Sequence, residues 1–93
     1  MSVSVSVPTI LRPVTKGEKT VTADGATVAE LIADLDGRYT GLGDRLVKNG
    51  ALHRFVNIYV NDEDVRFTGG LDTVVADGDQ VTILPAVAGG SGV

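Results

Sequence analysis

Few residues in this chain have the types and spacing that chemistry needs, and most are set aside by what they lack. Asp62-Glu63-Asp64 places three carboxylates in a row, as a hard cation would require. It lacks the glycine and closing glutamate of a calcium loop and reads as a solvated turn. His53 is the single histidine, so neither a histidine-pair metal site nor a Ser-His-Asp triad chosen among several histidines can be assembled, and it reads as structural. Gly69-Gly70 is not followed by the Lys-Ser/Thr of a phosphate loop, and Asp77-Gly78-Asp79 suits a turn because Asp and Gly tolerate its dihedrals. There is no cysteine, which excludes thiolate metal sites and thiol chemistry on this chain. No catalytic or metal-ligating set is assigned. What remains is Gly89-Gly90: without Cβ atoms, this pair can thread a narrow channel and leave a terminal carbonyl open to attack from either side. The bland alternative is a frayed terminus.

The elements that would have to carry such a tail are legible in outline. Ser2 to Val7 alternates valine and serine, the pattern of a half-buried strand, and Lys19 to Ala23 reads as a second strand paired with it as a hairpin across the Lys16-Gly17-Glu18 turn. Thr27-Val28-Ala29-Glu30 has capping-box spacing, and Val28, Leu31, Ile32, Leu35 and Tyr39 form one helical stripe ending near Gly37. Gly41 to Gly50 reads as loop with a short helical turn around Asp44 to Val47. Phe55 to Val60 is the strongest strand, Val65 to Phe67 a possible short edge strand, Leu71 to Ala76 ambiguous, and Gln80 to Leu84 a final strand. If Val81 and Ile83 face the core, period two sends Leu84 outward beside the tail. An exposed leucine is ordinary; next to a working tail it is also a natural docking contact, and both readings stand. After Pro85, five residues to Gly90 reach about 17 Å when extended at roughly 3.3–3.6 Å each. The expected organisation is one α+β domain over residues 1–85, a mixed sheet with one main helix across it, and a flexible tail over 86–93.

Composition narrows the function classes. A chain of 93 residues that is 43% hydrophobic supports one small core and little room for a deep active site, which favours a carrier or binding module over an enzyme. A formal charge of −4 with scattered basic residues argues against nucleic acid and anionic membrane, and suits either basic partner proteins or simple solubility. No apolar run reaches the ~20 residues of a membrane span, and Met1 to Val5 lacks the blocks of a signal peptide, so a cytoplasmic location is expected.

The run from Asp77-Gly78-Asp79 through Val81-Thr82-Ile83-Leu84-Pro85 to Val87-Ala88-Gly89-Gly90 resembles the end of the ThiS and MoaD family of ubiquitin-like sulfur carriers. There a D-G-D turn, an apolar strand and a V-A-G-G-type tail occur together. Pro8 to Pro13, Leu52 to Phe67 and Ile83 to Gly90 are similar to an actinobacterial branch of that family serving cysteine formation. The resemblance covers essentially the whole chain to Gly90 and implies a β-grasp fold with Gly90 as acceptor of adenylate and then sulfur. It also implies Val87, Ala88 and Gly89 as the threading tail. The implied partners are an E1-like ATP-dependent activating enzyme, a sulfur donor, a PLP-dependent sulfur-accepting synthase and a JAMM-type zinc peptidase; no cofactor is implied for this chain, which would be a protein cosubstrate. Ser91-Gly92-Val93 departs from the pattern, since it makes the Gly90 carbonyl an amide, and implies processing between Gly90 and Ser91. A ubiquitin-like modifier conjugated through Gly90 remains an alternative, as does a binding domain with an inert tail.

Overall fold

The alternation of valine and serine near the N-terminus builds the middle of a sheet. In the computed structural model, which describes residues 2–53 and 56–85, β1 (Ser2–Ser6) buries Val3 and Val5 and turns its serines away from the core. Pro8 follows, and a single 3-10 turn, Thr9–Leu11, drops Leu11 into the core. Lys16 and Gly17 adopt left-handed dihedrals and return the chain as β2 (Thr20–Asp24), antiparallel to β1. The buried hydroxyl of Thr15 lies within hydrogen-bond distance of the Arg12 and Glu18 carbonyls, which holds this connection closed.

Helix α1 (Val28–Arg38) starts where its cap was expected. The Thr27 hydroxyl accepts from the Glu30 amide at 3.2 Å, while the Glu30 carboxylate accepts from the Ala26 amide at 2.9 Å, one residue earlier than the simplest capping box. Gly25 allows the strand end to press on this first turn: a Cβ there would lie 2.8 Å from the Leu31 nitrogen. Val28, Leu31, Ile32 and Leu35 are buried and Tyr39 packs at the margin. The helix ends near Gly37, as expected. Its last residue is Arg38, whose guanidinium reaches Asp34 at 2.8 Å and Asp24 at 2.9 Å and ties the last turn to β2.

The next segment is more ordered than its glycines suggested. A one-turn helix α2 (Leu42–Leu46) buries Leu42 and Leu46. It leads into a small hairpin of β3 (Val47–Lys48) and β4 (Ala51–Leu52), where a loop was expected. Asn49 and Gly50, at φ of 55° and 78°, form its two-residue left-handed turn. Strand β5 (Val56–Val60) follows; Phe55, the expected first residue of this strand, lies outside the described residues. Asn61 and Asp62 repeat the left-handed turn, so the short edge strand β6 is Glu63–Asp64 and not 65–67. Val65–Phe67 is instead a 3-10 turn capped by the Asp64 carboxylate, which accepts from the Arg66 amide at 2.9 Å. Within 71–76, a 3-10 turn at Gly70–Asp72 precedes Val74, which bridges to Thr27 at the helix start.

Strand β7 (Gln80–Pro85) completes the sheet, in the order β2-β1-β7-β5-β6. Only the central β1–β7 pair is parallel, the other pairings being antiparallel. The register aligns Val21, Val5, Val81 and Val60 in one row and Ile83 with Ile58, all buried under α1. Burying one such aliphatic side chain contributes about 1.5–3 kcal/mol, and here the contributions come from a single continuous core. The α+β architecture with one main helix across a mixed sheet is the β-grasp arrangement.

Candidate functional site

The expected tail leaves the domain at Pro85, so the site is built from what surrounds that point. Strand β7 alternates as period two requires: Val81 and Ile83 are 3% and 2% exposed, whereas Leu84 is 44% exposed. Leu84 pairs with Asn57 on β5, and Pro85 with Val56. Arg66 reaches back over this end of β5. Its guanidinium donates to the Asn57 side chain, to the Val56 carbonyl at 2.7 Å and to the His53 carbonyl at 3.1 Å. One planar cation thereby holds three acceptors at the edge from which the tail departs.

Ile10, at the centre of the Thr9–Leu11 turn, is 64% exposed and lies beside Leu84, with Pro8 and Pro85 completing an apolar surface. Sequence reasoning missed Ile10 and Arg66. The two prolines bracketing 8–13 signalled an unusual connection at Ile10; nothing in the sequence marked Arg66. On one side of the Ile10–Leu84 pair is a cleft of about 160 Å³ bordered by Arg45 and His53. That falls below the roughly 300–1,000 Å³ typical of small-molecule sites and suits a single inserted side chain. On the other side is a shallower depression bordered by Arg12 and Lys19.

The remaining candidates have structural duties. The His53 amide donates to the Leu46 carbonyl at 2.8 Å, closing the small hairpin onto α2. Asp62 occupies a left-handed turn position, Asp64 caps the turn after it, and Glu63 is exposed. Among the described residues no group of three His, Cys, Asp or Glu side chains could hold a metal ion, and no helix is long and apolar enough to cross a membrane. Asp77 accepts from the Ser2 amide at 2.9 Å and Asp79 from the Ala76 amide at 2.8 Å, so the D-G-D turn fixes the far ends of β1 and β7. The Ala76 amide, with help from the Asn61 side chain, holds the Asp79 carboxyl below the usual range against a small opposing effect of desolvation. Val87, Ala88, Gly89, Gly90 and Ser91 lie outside the described residues.

Residues 5–90 match the model of the ThiS family. The chain belongs to the ThiS family. That match ends on the second glycine of the tail. The sulfur carrier protein CysO of Mycobacterium tuberculosis (strain ATCC 25618 / H37Rv) is 63% identical, over 97% of this chain and 100% of the relative. Among solved structures, a chain of the Amycolatopsis orientalis BexX/CysO complex superposes with a TM-score of 0.90 at 65% identity, covering 95% of this chain and 99% of that one. The small archaeal modifier protein 1 from Methanosarcina acetivorans superposes at 0.82 with 28% identity, covering 96% of each chain. The ThiS-family assignment and the similarity to CysO agree with the resemblance carried by the D-G-D turn, final strand and glycine pair.

Proposed function

We propose that this ThiS-family chain is a sulfur carrier that serves as a protein cosubstrate and works through the carboxylate of Gly90. The observation that carries the reading is the near full-length similarity to CysO, together with a family match that stops at residue 90. A carboxylate is a poor electrophile because its charge is delocalised and its leaving group would be oxide. An E1-like activating enzyme would therefore let a Gly90 carboxylate oxygen attack the α-phosphorus of ATP, releasing pyrophosphate and forming an acyl-adenylate. A sulfur donor would then displace AMP and leave a thiocarboxylate, for use by a pyridoxal-phosphate synthase in making cysteine or another sulfur metabolite. The synthase would join that sulfur to an activated serine, displacing its leaving group and leaving a cysteinyl adduct on Gly90, and a JAMM-type zinc peptidase would hydrolyse that adduct to free the carrier carboxylate.

Ser91-Gly92-Val93 would have to be removed first, because an amide carbonyl has no free oxygen anion to attack ATP. The test compares the 93-residue chain with a version ending at Gly90, each mixed with activating enzyme and ATP, by pyrophosphate release. Only the shorter chain is expected to react. Equal release from both would sink the requirement for processing, and release from neither would sink the carrier reading.

The likeness to an archaeal modifier favours one second reading, in which activated Gly90 is transferred to lysines of other proteins. Isopeptide-linked conjugates recovered from cells, and lost when Gly90 is deleted, would select it.

A further inference from the structure

The chain's charge is segregated along the sheet, and the tail leaves from the basic end. Among the described residues neither cleft beside Ile10 and Leu84 is lined by a carboxylate; their charged borders there are Arg45 on one side and Arg12 with Lys19 on the other. Glu18 in the nearby turn and Asp44, which precedes Arg45 on α2, are the acidic exceptions. At the opposite end of the same strands stand Asp24, Asp62, Glu63, Asp77 and Asp79, and the depression there is bordered by Glu63, Asp72 and Asp79. Lys19 and Arg45 are exposed and make no side-chain hydrogen bond or ion pair among the described residues, so they hold no evident structural duty. The net charge of −4 therefore misstates what a partner gripping the tail would meet.

We infer that the tail-root surface docks on an acidic protein face: an apolar side chain enters between Ile10 and Leu84 while carboxylates flank it toward Arg45 and toward Lys19. This rests on the carrier reading and specifies the partner surface that reading requires. The basic end would orient the encounter so that the tail arrives first, because exposed charges act mainly on the association rate and are screened by salt. Ile10 and Leu84 would supply the contact that survives high salt.

The test uses the chain ending at Gly90 and its activating enzyme, with association rates followed by stopped flow over a salt series. The double variant Lys19→Glu with Arg45→Glu is expected to associate about tenfold more slowly at low salt, with the difference closing as salt rises. The opposite-end control, Glu63→Lys with Asp72→Lys, should associate at least as fast as the parent. Ile10→Ser should weaken binding without changing its salt dependence. Circular dichroism checks each fold, and Lys19→Gln with Arg45→Gln, expected to give a smaller loss, replaces the double reversal if that fails to fold. Faster or unchanged association of the basic-end variants, with pyrophosphate release intact in the parent, would overturn the acidic-partner inference alone. Absence of pyrophosphate release from the parent would overturn the carrier reading and this inference with it.

Discussion

Truncating Leu84 to alanine separates docking from folding, and the two costs differ enough to measure. An extended leucine exposes roughly 180 Å², so the 44% left open in the fold is about 80 Å². Removing that area from water on docking contributes about 2 kcal/mol at ~25 cal/mol/Å². Alanine keeps only the Cβ, so over half of this gain is lost, about 1.4 kcal/mol or tenfold in Kd. The fold should lose less than a core truncation: about 1 kcal/mol for the half-buried Leu84, against roughly 2–5 kcal/mol for Ile83→Ala at the neighbouring, core-facing position of the same strand. Urea unfolding followed by circular dichroism gives the stability of both variants, and calorimetric titration of the Gly90-ended chain with the activating enzyme gives the affinity. If Leu84→Ala unfolds as readily as Ile83→Ala, the side chain is core and the argument fails. If affinity changes by less than twofold, Leu84 is exposed without being a docking contact.

Arg66→Ala should destabilise by about 1–2 kcal/mol, below the sum for three buried charged hydrogen bonds because Arg66 itself is exposed. Faster amide exchange along the paired ends of β5 and β7 is the expected signature; unchanged exchange there would mean the guanidinium restrains nothing. Asp79 sets a pH dependence whose sign follows from its lowered carboxyl. The folded state favours the anion, so its stabilisation is present above the unfolded value of about 3.9 and is lost as pH falls through the lower folded value. Acid titration of Asp79→Asn should therefore show a shallower loss of stability in that window than the parent, and parallel curves would contradict the assignment.

The parts of the fold most legible in the sequence were those with strict period. Val3 and Val5 on β1, the Thr27-capped stripe of α1, and Val81 and Ile83 on β7 each repeat at the spacing of their element, and all but the marginal Tyr39 are buried. The hairpin of β3 and β4 was obscured because its strands are two residues each, too short for any periodicity, although Asn49-Gly50 is a strong two-residue turn signal. Gly37 marked the helix end to within one residue, and the Arg38 pairs to Asp34 and Asp24 hold that last turn. At the site, Leu84 followed from alternation. Ile10 did not, since a single 3-10 turn has no pattern to read, and the contacts of Arg66 depend on a return of the chain that only the folded β5–β6 turn provides.

The position of β7 has a mechanical consequence. A partner that draws the chain into a channel by its end pulls on β7 along its own axis. That strand is hydrogen-bonded on both sides, to β1 at Gln80, Val81 and Thr82 and to β5 from Val81 to Pro85. Such a load acts in shear, and both ladders resist together, where an edge strand such as β2 or β6 would have only one. A partner holding that end would therefore load the strand without unfolding the domain that carries it, which stays ready to be gripped again.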